Sequence, residues 1–326
     1  MYIILFFIVA GILGLGIGAE LIVRNSINLA KKYKISGYFI GFTVIALGTS
    51  LPELAASIQA LNIANSIGIA LGNIIGSNIA NILLILGVVS IISPISFSQD
   101  KGQKNQTLIV LILTIFSSLI FYIVLNNNNL NSNLFAFILI LFFLFFLYFQ
   151  YINERSNNNV IQTNKTYSQF ISYFFLILGF ISLYYGSKYF ILGSKELAIS
   201  FNISDSIIGL TLVAFGTSLP ELATGIVAAI RKQSSLAVGT ILGSNIYNIV
   251  GIFAVILFLN TEQIGNSIIL ITNIFIMIAV TFIFVFKVRF GLKKLNIQAF
   301  HLGKTSGLFF LLLYVLYTIY NYFQIN

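Results

Sequence analysis

Two glutamates, Glu53 and Glu221, stand in the middle of long apolar runs, and each closes an identical stretch, Gly-Thr-Ser-Leu-Pro-Glu, at 48–53 and 216–221. Holding a carboxylate at such depth costs at least ~2.5–3.5 kcal/mol on insertion scales. Two of them repel each other unless positive charge lies between them. The runs 37–62, 67–93, 206–229 and 235–259 contain no Lys or Arg, so the counter-charge must be bound cations or protons. The neighbouring residues suit cations. Thr49 and Ser50 lie four and three residues before Glu53, so all three can share one helical face. Thr217, Ser218 and Glu221 repeat the pattern. Pro52 and Pro220 each remove a backbone donor and clash with the carbonyl four residues back, at Gly48 and Gly216. Downstream, Ser77 and Asn81, and again Ser244 and Asn248, are spaced four apart. Carboxylates, hydroxyls, amides and freed carbonyls are the hard oxygen ligands that Ca²⁺ takes, six to eight at about 2.3–2.6 Å.

The rest of the chain says where this chemistry sits. Of 326 residues, 58% are hydrophobic and 8% charged, with a mean hydropathy of +1.00. Soluble domains carry about 25% charged residues, so a soluble enzyme, a nucleic-acid-binding module and a disordered chain are excluded as the whole protein. A polytopic membrane protein remains. With no cysteine and a single histidine, His301, disulfides, thiolate chemistry and multi-histidine metal sites are excluded as well. The first apolar run, Tyr2 to Val23, is too long for a signal-peptide core and lacks an Ala-x-Ala cleavage pattern. It reads as a retained helix.

Apolar runs near 2–23, 37–62, 67–93, 106–125, 134–152, 170–192, 206–229, 235–259, 266–286 and 305–324 predict ten spans. Fifteen of the 17 Lys and Arg residues fall after the odd-numbered spans, and Lys188 and Lys195 are the other two. By the positive-inside rule the odd loops are cytoplasmic and both termini lie outside. Glycine to alanine at 41–55 matches 209–223 at an offset of 168, and Gly-Ser-Asn-Ile-x-Asn at 76–81 matches 243–248 at an offset of 167. The chain therefore reads as an all-α membrane protein of ten transmembrane helices in two inverted five-helix repeats. The first repeat is 1–152, the linker 153–169 and the second repeat 170–326. Five spans per repeat is odd, so the second enters the membrane upside down, as in secondary transporters whose site lies at the midplane between repeats. Gly72/Gly76 and Gly239/Gly243 form small-xxx-small ridges that let the third and eighth spans approach their neighbours.

These paired motifs resemble the α-1 (41–81) and α-2 (209–248) repeats of the calcium/cation antiporter superfamily, nearest to its prokaryotic sodium/calcium exchanger branch. The motifs cover about a fifth of the chain, and the inverted ten-span pattern extends the likeness over all of it. The resemblance implies that Glu53 and Glu221 are the central ion-binding carboxylates. It implies that Thr49, Ser50, Ser77 and Asn81 are ligands from the first repeat, and Thr217, Ser218, Ser244 and Asn248 from the second. Backbone carbonyls of Ala46 and Ala214 would complete the sodium sites. It further implies movement of spans 1 and 6 against the remaining bundle, and electrogenic export of one Ca²⁺ against three Na⁺, though the charge count alone also permits two. Many relatives carry Asp at one of the positions held here by Asn81 and Asn248. Asparagine at 248 argues against potassium coupling, and the linker is too short for the regulatory loop of animal exchangers.

The expected function is thus Ca²⁺/Na⁺ antiport across the cell membrane, with no catalysis, no cofactor, no nucleic-acid partner and a monomer sufficient for transport. A Ca²⁺/H⁺ or other divalent-cation antiporter is the alternative, and a passive cation channel the reading from another class. An intramembrane hydrolase lacks a nucleophile paired with a base. Glu20 reads as an interfacial residue near Arg24. Gly14, Gly16 and Gly18 lack the βαβ context of a nucleotide fingerprint. His301 reads as a loop residue, the stretch 142–149 as lipid-facing bulk, and the asparagines at 126–129 and 157–159 as polar loops.

Overall fold

In lipid, a chain can satisfy its backbone polar groups only as helices or closed barrels, and the apolar runs of this chain are helices. The computed structural model describes residues 2–64, 67–97, 101–126, 132–155, 168–200, 214–259, 268–290 and 300–325. The α-helices are α1 (Tyr2–Tyr33), α2 (Gly37–Ile40), α3 (Ala46–Thr49), α4 (Leu51–Ala64), α5 (Ile67–Ala80), α6 (Leu86–Ile92), α7 (Lys101–Asn126) and α8 (Ser132–Arg155). They continue as α9 (Gln169–Ser200), α10 (Ala214–Thr217), α11 (Leu219–Ile230), α12 (Ser234–Ile246), α13 (Phe253–Leu259), α14 (Ile268–Phe290) and α15 (Lys304–Ile325). Among the described residues, eight helical stretches are long and apolar enough to cross a membrane, and Thr107–Ile123 and Leu219–Ile230 are shorter apolar helices. These ten fall where the ten apolar runs predict spans. The start of the seventh run and most of the linker lie outside the described residues, as do most of the Asn clusters.

Burial sorts the spans by role. Ile67–Ile92 and Ser234–Leu259, the third and eighth, are the most enclosed, whereas Tyr2–Tyr33, Ser132–Ile152 and Lys304–Gln324 leave most of their surface open. The motif-bearing spans therefore form the centre, and the outer helices carry the lipid-facing apolar side chains. The helix α8 does both. Phe142, Phe145, Tyr148 and Phe149 face outward, but Phe146 is buried with its ring 5.4 Å from that of Phe42. Phe143 packs edge-on against Tyr247 at 5.1 Å. The lipid-facing reading of 142–149 thus holds for one side of the helix only.

The two long helices α1 and α9 occupy equivalent places in the repeats and lie against each other along glycines. A methyl added at Gly18 would sit 2.8 Å from the carbonyl of Gly179, and one at Gly186 3.1 Å from that of Gly11. These two contacts exchange under the 168-residue offset, so the pair is two-fold symmetric about its own crossing. Ser182 Oγ donates to the Gly14 carbonyl at 2.8 Å across the same seam.

One element departs from the helical plan. Ile95–Phe97 (β1) pairs antiparallel with Phe300–Leu302 (β2), placing His301 opposite Ser96. This ribbon ties the end of the third span to the start of the tenth. Glu20 forms an ion pair with Arg231, which caps α11. Lys31, Lys32 and Lys34 follow in and just after the last turn of α1, and the ion pair brings the Arg231-Lys232 end of α11 to the C-terminal half of α1.

Candidate cation site

The site is built from two broken helices. Proline at 52 cannot donate to the turn before it, and the helix duly breaks between α3 and α4 at Ser50, with φ −84° and ψ 1°. Its equivalent Ser218 separates α10 from α11 with φ −87° and ψ 4°. The same sequence has produced the same break twice. Freed carbonyls follow from it. Gly216 O, four residues before Pro220, accepts a hydrogen bond from Ser187 Oγ of α9 at 2.8 Å. The partner spans widen at matching places. A π-helical turn begins at Asn81 (Asn81–Ile85), and another spans Asn248 (Tyr247–Ile252). Such turns are rare and recur at functional sites. Here each carries one of the predicted amide ligands.

Helix packing brings the four segments together. Glu53, Glu221, Asn81 and Asn248 are all fully buried, and Thr49, Ser50, Ser77, Thr217, Ser218 and Ser244 are nearly so. Ser50 Oγ of the first repeat donates to Glu221 Oε1 of the second at 3.4 Å, and Ser244 Oγ donates to the same oxygen at 3.3 Å. Thr49 Oγ1 lies 3.5 Å from Ser244 Oγ. Ser218 Oγ donates to Ser77 Oγ at 3.4 Å. The two carboxylates are near enough to act on one another electrostatically. So Thr49, Ser50 and Ser244 gather around Glu221, Ser218 meets Ser77, and Glu53, Asn81, Thr217 and Asn248 are buried in the same four segments. Of the two backbone candidates, Ala46 O already accepts from Ser50 N at 3.0 Å and Thr49 Oγ1 at 3.3 Å. For Ala214 only its place at the start of α10 is described.

The unsatisfied atoms are the most informative. Among the described residues, both Glu53 oxygens, Glu221 Oε2, Asn81 Oδ1 and both amide atoms of Asn248 are buried without a hydrogen-bond partner. Buried polar groups are ordinarily satisfied, and each exception calls for an explanation. Five of these six atoms are oxygens of the two paired motifs, a donor set that fits a dehydrated cation. The symmetry is incomplete. Glu221 accepts two hydroxyl hydrogen bonds, whereas the mirror bond from Ser218 to Glu53 is not made, and Ser218 bonds Ser77 instead.

Sequence spacing missed the residues that hold this set in place. Asn73 donates to the Glu53 carbonyl at 3.2 Å and to Ser57 Oγ at 3.0 Å, and accepts from Thr217 Oγ1 at 3.2 Å. It therefore ties α4 to the broken helix of the other repeat. Its counterpart, Thr240, only bonds back to Leu236 O at 3.0 Å. Asn245 bonds Asn81. The one available signal was that Asn73 and Asn245 are amides inside apolar runs.

Close approach at the site depends on glycine in the second repeat. A methyl at Gly243 would sit 2.6 Å from Ala46 Cβ and 3.0 Å from Phe42 Cα, and one at Gly239 3.0 Å from the Tyr38 carbonyl carbon. The ridge expected from Gly239/Gly243 is thus in use. The segment that would face Gly72/Gly76 by symmetry, 206–214, lies almost wholly outside the described residues. Gly243→Leu is expected to force α12 away from α3, at an overpacking cost of about 1–3 kcal/mol, and to separate Ser244 from Thr49. Thermal melting of the purified protein checks this. Gly16→Leu, at a position with nothing within 4 Å, should melt as the parent does.

Three comparisons bear on this geometry. A family model described as sodium/calcium exchanger protein matches residues 3–152 and 171–323. An uncharacterised membrane protein of Methanocaldococcus jannaschii is 33% identical over 309 residues, covering 94% of both chains. Sodium/calcium exchanger MaX1 of Methanosarcina acetivorans is 31% identical over 272 residues, covering 71% of this chain and 76% of its own. A solved structure of the sodium-calcium exchanger NCX_Mj, soaked with zero Na⁺ and Ca²⁺, superposes with a TM-score of 0.81 at 31% identity, covering 97% of this chain and 98% of that one.

Proposed function

This chain belongs to the sodium/calcium exchanger protein family, and from that premise we propose how its residues carry out the exchange. It is a multi-pass membrane antiporter that exchanges Ca²⁺ for Na⁺; it is a transporter, not an enzyme, and the ions are its cargo. The transported ions bind between the two repeats, residues 1–152 and 170–326, which the linker 153–169 joins. Glu53 and Glu221 neutralise them. Thr49, Ser50, Ser77, Asn81, Thr217, Ser218, Ser244 and Asn248 supply neutral oxygens, and the carbonyls of Ala46 and Ala214 serve Na⁺. The observation that carries this reading is the cluster of buried, partnerless oxygens on Glu53, Glu221, Asn81 and Asn248.

The mechanism follows from charge. With both glutamates ionised and both asparagines neutral, the empty site holds two negative charges. One Ca²⁺ or two Na⁺ neutralise it, and a third Na⁺ leaves one positive charge. An empty site with two bare carboxylates is expensive in a low-dielectric interior, so it crosses the membrane loaded and exchange prevails over leak. The glycine-lined α1–α9 pair moves against the central bundle and opens the site to each side in turn. Smooth small-residue contacts between α1 and α9, and their largely lipid-exposed faces, support a body that slides as one unit. The protein resides in the cell membrane with its odd loops cytoplasmic and both termini outside. A monomer suffices, because both repeats lie in one chain. Under ordinary gradients the direction is Ca²⁺ export.

Radiolabelled Ca²⁺ uptake into proteoliposomes tests the function. Uptake is expected only when Na⁺ is trapped inside, and it should collapse when Na⁺ is equal on both sides. Uptake driven by a pH gradient without Na⁺ would instead identify a proton antiporter, and flux with no counter-ion a channel.

A further inference from the structure

We propose that Asn245 is a positioning residue that aims the oxygen of Asn81 into the cation site; this rests on the assignment of Asn81 as a ligand. The inference is one of orientation, and it starts at a backbone carbonyl. Asn245 Nδ2 donates to the carbonyl of Asn78 at 3.4 Å. A carbonyl can only accept, so the Asn245 amide must turn its nitrogen that way. Its Oδ1 then faces Asn81, which can meet an oxygen only with its own nitrogen, and does so at 2.9 Å. The remaining amide atom, Asn81 Oδ1, is left buried with no partner among the described residues. Flipping the Asn81 amide would set oxygen against oxygen and point N–H hydrogens at an arriving cation. Asn81 and Asn245 are 0% and 2% exposed, so bulk water does not substitute for either contact.

The mirror-related half lacks this device. The residue equivalent to Asn245 is Asn78, whose nitrogen contacts Met277 Sδ at 3.7 Å. Asn248, equivalent to Asn81, has neither amide atom partnered among the described residues. One amide ligand is therefore preset by its neighbour, and the other is free to turn with the cargo. The chain of contacts also crosses between repeats, so the aim of a first-repeat ligand is set by the second repeat.

The test is a double-mutant cycle read as the Ca²⁺ half-saturation of Na⁺-driven uptake. N81A and N245A should each raise it by about 10- to 100-fold, the usual loss when a ligand's orienting partner is removed. The double variant N81A/N245A should be no weaker than N81A alone, because the aim of an absent oxygen has no effect. N78A should leave the value unchanged, since Asn245 uses the backbone carbonyl at that position. If the two losses instead multiply, the positioning role is overturned while Asn81 stands as a ligand. If N81A has no effect, the ligand assignment falls, and this inference with it. Should N245A fail to fold, N245D at a pH where its carboxyl is protonated donates its hydroxyl to the Asn78 carbonyl and still offers Asn81 an acceptor, and is expected there to keep a near-parental half-saturation; a value weakened tenfold there would equally overturn the proposal.

Discussion

Replacing Glu53 or Glu221 with glutamine is expected to abolish Ca²⁺ transport while leaving the fold intact. The substitution keeps size and shape and removes one negative charge. Ca²⁺ in the altered site would then leave one positive charge uncompensated in a fully buried region. The effective cost of such a charge is several kcal/mol, and every 1.4 kcal/mol is about tenfold in affinity, so binding should fall by at least about a hundredfold. The same reasoning gives a sign for stability. Without ions the parent holds two carboxylates that repel each other, and either glutamine variant holds one. The ion-free variant should therefore melt no lower than the ion-free parent. The rise in melting temperature that Ca²⁺ confers on the parent by mass action should disappear. Transport assays and melting curves with and without Ca²⁺ check both halves. Normal exchange by either variant would refute the site. A large fall in the ion-free melting temperature would show that the glutamate is structural.

How much of this site could be read from the sequence depends on the kind of interaction. Glu53 and Glu221 stand out because charge in an apolar run demands an explanation by itself. The helix breaks at Ser50 and Ser218 follow locally from Pro52 and Pro220. The ten spans follow from apolar length, and the inverted repeat from two matching blocks with five spans in each half. What could not be read is whatever joins distant segments through short polar contacts. Asn73 reaches Thr217 across 144 residues, Asn81 reaches Asn245 across 164, and Glu20 reaches Arg231 across 211. No periodicity marks such partners, because each is chosen by packing that the repeats make together. The ribbon of β1 with β2 is three residues on each side, too short for strand alternation to register. Phe146 turns inward because Phe42 is there to meet it, a fact of packing that composition does not contain. The paired motifs also suggested more symmetry than exists. The hydrogen bonds to Glu221 have no mirror at Glu53, and Asn73 has no amide counterpart.

On the proposed reading, in which residue 248 faces the cargo, Asn248→Asp is expected to change which half of the cycle carries charge. The net charge transferred per cycle depends only on the ion ratio. The fixed charge of the site decides how that charge divides between the Ca²⁺ step and the Na⁺ step. With two glutamates and two asparagines, the Ca²⁺-loaded site is neutral, so its passage should not sense the membrane potential. A third carboxylate at 248 leaves the Ca²⁺-loaded site with one net negative charge. One charge crossing the full potential is worth about 2.3 kcal/mol per 100 mV, enough to alter rates severalfold. Exchange of labelled for unlabelled Ca²⁺ isolates this step, because no Na⁺ takes part. In vesicles clamped at different potentials, the parent should exchange Ca²⁺ at the same rate throughout, and N248D should not. The alternative for the variant is to carry a proton with each Ca²⁺, which restores neutrality and makes the exchange depend on pH where the parent does not. Either behaviour places residue 248 beside the cargo. If N248D matches the parent at every potential and every pH, then position 248 does not line the site. The unpartnered amide buried there would then need another explanation.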